Sequence, residues 1–308
     1  MTPDPLILHW GVPVVAALIG AAVCRLYARL RLAAPEERVM RTNVDGRRVP
    51  VVLGWPLLMG ALAGIGAVAA WSEWSHASST AGRGYRHFAG IFEEGLHWIP
   101  RQVLIGVASL LIVMFVAGWW DDRRGDERPR GFAGHLGALG GGRLTGGVIK
   151  LLAGAIVGLG TAVVLLRGFQ PVRIVVVIAL IVALAANLVN LFDRAPGRAG
   201  KLFLVVALPI AVVGDPLWRI VAAGALGAAI AILPLDLKAK GMLGDAGANP
   251  LGALLGLGLV VAFAGSFEAL IGVALILLAL NLASEKWSFS EVIERTPWLA
   301  RLDHLGRK

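Results

Sequence analysis

Two adjacent aspartates, Asp121 and Asp122, stand where an apolar run stops in the stretch FVAGWWDDRRGDERPR. Neighbouring carboxylates repel each other, and beside an apolar segment they also lose solvation, so they require water or a cation. The pattern recurs further along the chain. Asp193 follows the run ending NLVNLF, while Asp236 and Asp245 lie in PLDLKAKGMLGDAGANPLG. Asn187, Asn190 and Asp193 are spaced by three, which on a helix lines two amides and a carboxylate along one face. Arg194, Arg198 and Lys201 come directly afterwards, a basic collar suited to phosphate oxygens. Gly244 and Gly247 flank Asp245 and allow backbone N–H groups to approach a ligand closely. Carboxylates for a hard cation beside arginines for phosphates describe chemistry on an anionic substrate. Each feature also has a plainer reading. Aspartates favour helix ends and solvated loops, Asn187 suits a hydrogen bond between helices, and GDxG strings occur in ordinary turns.

The elements that must position these groups are membrane helices. The chain of 308 residues is 57% hydrophobic and 16% charged, with a mean hydropathy of +0.75, and its charges are concentrated between long apolar runs. That is the pattern of a polytopic membrane protein and excludes a soluble fold with one oversized core. Nine runs are expected to span, at 7–24, 50–71, 102–120, 145–166, 173–192, 201–213, 217–235, 251–265 and 268–283. The first lacks a basic start and reads as a retained helix rather than a signal peptide. Cys24 is the only cysteine, which removes disulfide frameworks and cysteine-based metal sites.

Most of the 29 Lys and Arg residues fall on one set of alternate segments, at 25–49, 121–150, 193–201, 236–250 and 284–308. By the positive-inside rule these are cytoplasmic, giving an N-out, C-in chain. All five aspartates then lie on the cytoplasmic face. The net charge of +9 is an orientation signal; with no soluble basic domain, no nucleic-acid partner is expected. No acidic residue falls mid-span, which argues against a transporter's coupling-ion path. The long external segment 72–101 is expected to carry a short interfacial helix. Trp119 and Trp120 fit an aromatic belt. The expected fold is one all-α polytopic domain over 1–308, a bundle of nine to ten transmembrane helices around a cytoplasmic cleft.

Five segments occur in order between about residue 40 and residue 283: RTNVDGRRVP, GWWDDRRG, GHLGALGGGRLTGG, NLVNLFDRAPGRAGK and MLGDAGANPLGALLG. Together they resemble the polyprenyl-phosphate N-acetylhexosamine-1-phosphate transferase family, which includes the bacterial muramyl-pentapeptide and N-acetylglucosamine-1-phosphate transferases. The resemblance implies transfer of a sugar-1-phosphate from a UDP-sugar to polyprenyl phosphate at the bacterial plasma membrane, releasing UMP, in envelope synthesis. It implies Mg²⁺ as cofactor, with Mn²⁺ as a substitute, and partners comprising the UDP-sugar, the polyprenyl phosphate and the lipid bilayer; it allows a homodimer. By the family pattern Asp245 is the leading metal ligand, with Asp121 beside it. Asp121 and Asp122 match the paired aspartates, one of which deprotonates or positions the lipid phosphate. Asn190 and Asp193 match the nucleotide-site positions, which Asn187 and Asp236 extend.

The chain also departs from the pattern. The family's C-terminal histidine cluster is reduced to His304, and Arg194-Ala195-Pro196-Gly197-Arg198 replaces a common Gly-Leu-Asp-Gly. Asp236 stands where an asparagine is common, and Ala248-Asn249 where serine is usual. With no histidine cluster, the expectation from the residues is that Arg194, Arg198 and Lys201, helped by His304 and Arg301, grip the substrate diphosphate. The competing expectation is a catalytically silent family member that binds lipid or nucleotide and regulates.

Overall fold

The computed structural model describes residues 10–43, 46–81, 101–124, 154, 156–160 and 171–307. Eight longer helices carry these residues: α1 (Val12–Ala33), α2 (Gly54–Ala81), α3 (Arg101–Arg124), α4 (Val172–Phe192), α5 (Arg198–Val213), α6 (Pro216–Leu237), α7 (Asp245–Ala262) and α8 (Phe267–Lys286). Two short helices, α9 (Phe289–Arg295) and α10 (Pro297–His304), close the chain. A small antiparallel hairpin, β1 (Met40–Thr42) and β2 (Arg48–Pro50), joins α1 to α2, with Met40 opposite Pro50 and Thr42 opposite Arg48.

Seven of these helices are long and apolar enough to cross a membrane. The fold is therefore an all-α polytopic membrane protein, apart from the two-stranded hairpin. The expected span at 201–213 is helical, but α5 has only 16 residues. At 1.5 Å per residue that is about 24 Å, short of a hydrocarbon core of about 30 Å. Most of the expected span at 145–166, the GHLGALGGGRLTGG segment and most of the segment 72–101 lie outside the described residues; within that span, residues 154 and 156–160 are helical.

Several element boundaries differ from the apolar runs for one reason. A hydropathy run stops at the first charges, whereas backbone hydrogen bonding continues through them. The second run was expected to end at residue 71, yet α2 continues to Ala81. Helix α3 continues to Arg124, so Asp121 and Asp122 lie in its last turn rather than beyond it. Helix α7 begins at Asp245, not at residue 251, and α6 contains Asp236.

The core falls into two groups of helices. In the first, α1, α2 and α6 pack together through small residues. A Cβ built on Gly20 would lie 2.5 Å from the Gly224 carbonyl oxygen and 2.9 Å from that of Gly60, so the three backbones touch. Close approach of this kind replaces the hydrophobic driving force that lipid does not supply. In the second group, α7 packs against α3 and α4, and α8 covers α4. The central helices are α6 and α7, with 72% and 78% of their spans buried, against 28% for α1 and 22% for α8. The outer two turn residues such as Leu18, Leu26, Leu275 and Ile276 outward, where lipid solvates them.

One end of the bundle collects the polar termini. There α1, α3, α4, α6 and α8 finish, and α2, α5 and α7 begin. The hairpin is pinned to that end by the backbone. Val51 bridges Met242 in parallel, Met242 N–H donates to the Pro50 carbonyl at 2.9 Å, and Leu53 N–H donates to the Met242 carbonyl at 3.0 Å. The strand leaving β2 therefore fixes the chain immediately ahead of Asp245.

Candidate functional site

Helix α3 brings Asp122 to the first turn of α7. Its Oδ1 accepts the Asp245 N–H at 3.0 Å and its Oδ2 accepts the Ala246 N–H at 3.0 Å. The first N–H groups of a helix have no partner within it and carry the positive end of its dipole, so a carboxylate there is doubly favoured. The approach depends on two glycines. A Cβ on Gly118, one turn before Asp122, would lie 2.2 Å from the Asp245 carbonyl oxygen. Gly244 adopts φ +65°, and a Cβ there would meet Val51 Cγ1 at 2.3 Å and Asp122 Oδ2 at 2.8 Å. Only glycine combines that backbone conformation with the absent side chain.

Asp193 enters from the C-terminus of α4, half-buried, and accepts the Gly244 N–H. Desolvation, and then the charges of Asp236, Asp245 and Asp122, push its carboxyl well above the usual carboxylate range; the Gly244 hydrogen bond opposes this. Asp236, 2% exposed, approaches from the last turn of α6 and accepts the Gly197 N–H. Asp122, Asp193 and Asp245, from three helices, thus meet at the GDAG turn, and Asp236 from a fourth lies within electrostatic reach of Asp193. Asp121 is half-buried beside them. Successive helical residues are turned about 100° apart, so it cannot share the direction of Asp122.

Among the described residues, no three His, Cys, Asp or Glu side chains form a ready metal cage. The donor set fits a hard cation that takes one or two carboxylates and completes its shell with water and phosphate oxygens. Such a cation would also offset the surplus negative charge around Asp193.

The amides divide between two tasks. Asn190 Nδ2 donates to Asn249 Oδ1 at 2.9 Å, which places both one turn inside the acidic cluster. Asn249 Nδ2 is buried with no partner among the described residues. Asn187 is directed elsewhere. Its Nδ2 donates to Asn281 Oδ1 at 2.6 Å, and Asn281 Nδ2 donates to the Leu184 and Leu277 carbonyls. That ladder ties α4 to α8, the plainer of the two uses the sequence allowed for Asn187.

The basic collar is also reassigned. Arg198 was expected to fork a diphosphate. Instead its Nε and Nη2 donate to the two Asp303 oxygens at 2.9 and 2.8 Å, and Nη1 donates to Ser290 Oγ at 2.7 Å. Its side chain is 6% exposed, so no substrate oxygen has access. Lys201 Nζ donates to the Leu302 and Asp303 carbonyls at 3.0 and 2.7 Å. Arg307 completes the latch, donating to Asp303 Oδ1 at 2.7 Å and to the Pro196 carbonyl at 2.9 Å. Although burial raises the Asp303 carboxyl, the hydrogen bond and charge of Arg198, then Arg307 and Lys201, hold it below its ordinary value. Arg194, Arg301 and His304 are exposed. The reason for the correction is Asp303, a carboxylate 105 residues away from Arg198, which claims the guanidinium first. No sequence spacing signalled that pairing, nor the role of Asn249.

No protein-family model matches this chain, and no curated protein matches it at a significant level. The class defined by the fold and site is an integral membrane protein with an acidic cluster built on a helix N-terminus.

Proposed function

We propose that this protein transfers a sugar-1-phosphate, of the N-acetylhexosamine-1-phosphate type, from a UDP-sugar to polyprenyl phosphate at the cytoplasmic face of the membrane. The single observation that carries this reading is the convergence of Asp122, Asp193 and Asp245 on one glycine turn, with Asp236 as a fourth carboxylate within electrostatic reach of Asp193. The motifs through which the sequence resembles the transferase family supply three of the four, and the fold brings them together from separate helices.

In the reaction an oxygen of the lipid phosphate bonds to the sugar-bearing phosphorus of the UDP-sugar. The bridging P–O bond breaks, and UMP leaves with the electron pair. Both reactants are anions, so charge must be offset before they meet. Asp245 and Asp121 are assigned to hold Mg²⁺, which supplies Lewis-acid neutralisation of the diphosphate. With both oxygens of Asp122 donated to by the start of α7, that residue positions Asp245, and Asp121 is the one assigned to the lipid phosphate. Asn190 and Asp193 border the nucleotide. The N-out, C-in orientation and a span count of nine to ten belong to the same reading.

One feature favours the second reading, a silent member that binds lipid or nucleotide. Asp122 and Arg198 are both committed to contacts within the protein. One assay separates the two readings. Purified protein is incubated with Mg²⁺, polyprenyl phosphate and a panel of UDP-sugars, and UMP is measured. Release of UMP with one sugar supports transfer; saturable UDP-sugar binding without UMP supports the silent reading.

A further inference from the structure

The C-terminal segment presents an apolar face that no other described residue covers. At α10, Trp298, Leu302 and Leu305 are 62, 57 and 68% exposed. Their spacing of four and then three residues sets them along one helical face. The latch fixes which way that face points. Asp303 is held inward by Arg198 and Arg307. At about 100° per residue it lies on the far side of α10 from the apolar stripe. Arg301 comes three residues after Trp298 and four before Leu305, so it borders the stripe, and His304 continues that flank; both are exposed. Asp303 is the only carboxylate in α10, so the outer surface of this helix carries cations alone.

Both ends of the segment are tied to helices that face lipid. It leaves α8 at Lys286, where that helix still exposes Leu280 and Leu282, and an exposed Trp287 follows. Phe289 then packs on Phe192 at the end of α4, with ring centroids 5.1 Å apart. At the start of α5, Lys201 grips the Leu302 and Asp303 carbonyls. Val205, one turn further along α5, is 71% exposed, and Leu208 and Val212 continue the same outward face. Four helical residues rise about 6 Å, so a lipid-facing surface begins within one turn of the residue that grips α10. Helix α5 has only 16 residues and does not outlast a hydrocarbon layer of about 30 Å. A helix fastened to its first turn therefore lies at the edge of that layer and not in open water.

We propose that α10 is an interfacial anchor, lying along an anionic leaflet with Trp298, Leu302 and Leu305 among the acyl chains and Arg301 at the headgroup phosphates. An amphipathic helix with an apolar face and a cationic flank binds a bilayer in this way, its apolar side entering by about 5–10 Å. Indoles favour that depth, because the ring is apolar while its N–H finds water or a phosphate. Lipid outside and the Arg198–Asp303 pair inside then act on the same short helix, so the membrane helps to hold the start of α5. The proposal does not rest on the transferase reading, because a silent protein would be anchored equally.

The test uses the purified full-length protein in bilayer nanodiscs, with a nitrobenzoxadiazole probe attached at Leu302→Cys. For comparison the probe is attached at Lys240→Cys, an exposed position in the loop before Met242. Cys24 is fully buried and stays unlabelled. Quenching is read from chain-brominated phosphatidylcholine and from aqueous iodide. The probe at position 302 is expected to be quenched by brominated lipid and to be at least about threefold less sensitive to iodide than the probe at position 240, as for a group inside the interface. Leu305→Cys serves if the Leu302 variant does not fold. At a fixed fraction of brominated lipid, adding phosphatidylglycerol is expected to strengthen quenching at position 302, and Arg301→Gln to remove that gain. Quenching indifferent to phosphatidylglycerol would overturn the role given to Arg301. Iodide access at position 302 equal to that at position 240 would place α10 in water and overturn the anchor. Protection from iodide without quenching by brominated lipid would mean that protein, such as a second copy of this chain, covers the face, and would overturn it equally.

Discussion

The carboxylate of Asp122 holds the first two amide groups of the helix that begins at Asp245, 3.0 Å from each nitrogen. One aspartate of the DD pair is therefore an N-terminal cap for the helix that presents another acidic residue. The contact joins α3 to α7 and sets the direction in which Asp245 leaves the turn. Asp122→Ala should cost about 1–2 kcal/mol, the range for removing a helix cap. It should also lower UMP release, because Asp245 loses its support. Thermal melts in detergent beside the UMP assay check both effects; an unchanged melt would show that the cap does not matter.

Asp245 itself makes a different prediction. Its backbone N–H builds the turn, while its side chain is assigned to the cation. Asp245→Asn keeps the shape and the backbone hydrogen bond but removes the charge. Mg²⁺-dependent UMP release should be abolished, with a thermal midpoint close to that of the parent protein. Near-normal turnover in this variant would refute the metal assignment.

The latch around Asp303 predicts energetic coupling across the chain. Arg198 and Asp303 are each 6% exposed at the side chain and share two hydrogen bonds. Breaking a buried pair by removing one partner costs about 3–5 kcal/mol, since a charge is left behind. Here Arg307 and Lys201 remain beside Asp303 and offset part of that loss. A double-mutant cycle of Arg198→Ala and Asp303→Ala should give a coupling of at least about 1 kcal/mol. Additive effects would mean the pair is incidental. A substrate clamp would instead lower kcat/KM for the UDP-sugar with the stability unchanged.

The same latch should respond to acid. Asp303 has a folded-state value below its ordinary one, so it binds protons less readily when folded than when unfolded. Its contribution to stability is present above the unfolded value and is lost as pH falls through the folded value. Hydrogen-exchange protection factors of peptides covering 193–201 and 289–304, taken relative to the intrinsic rate at each pH, should therefore fall together in acid. Asp303→Asn should exchange faster at neutral pH and lose that acid-dependent component.

How far the sequence predicted this structure can be argued residue by residue. Long apolar runs are a direct physical requirement of spanning a bilayer, so α1 to α4 and α6 to α8 were legible from composition. The grouping of the aspartates was legible because each sits at a helix end on one side of the bundle. What was not legible depends on contacts between distant parts of the chain. Arg198 reads as a free cation until Asp303 is folded against it. The strand 48–50 reads as loop because its partners, residues 40–42, are equally short, and isolated two-stranded hairpins have little propensity of their own. Asn187 and Asn190 share a helical face in the sequence, yet one meets Asn281 and the other Asn249, because different helices cover successive turns.

The close crossing of α3 and α7 gives the most direct test that the acidic cluster depends on the fold. Gly118 and Gly66 both lie inside apolar helices, and sequence alone does not distinguish them. A Cβ on Gly66 would meet nothing within 4 Å, whereas on Gly118 it would lie 2.2 Å from the Asp245 carbonyl oxygen and 2.4 Å from its carbon. Those atoms are backbone at the start of α7 and cannot swing aside. Gly66→Ala should therefore stabilise slightly, by up to about 1 kcal/mol, because alanine loses less freedom than glycine on entering a helix. Gly118→Ala should destabilise by about 1–3 kcal/mol, the range for overpacking a dense interior. It should also lower UMP release, because pushing α3 outward separates Asp122 from the two N–H groups it holds. Thermal melts of the two variants give the opposite signs directly. If Gly118→Ala melts at or above the parent temperature with full turnover, α3 and α7 do not cross as closely as described, and Asp122 does not position Asp245.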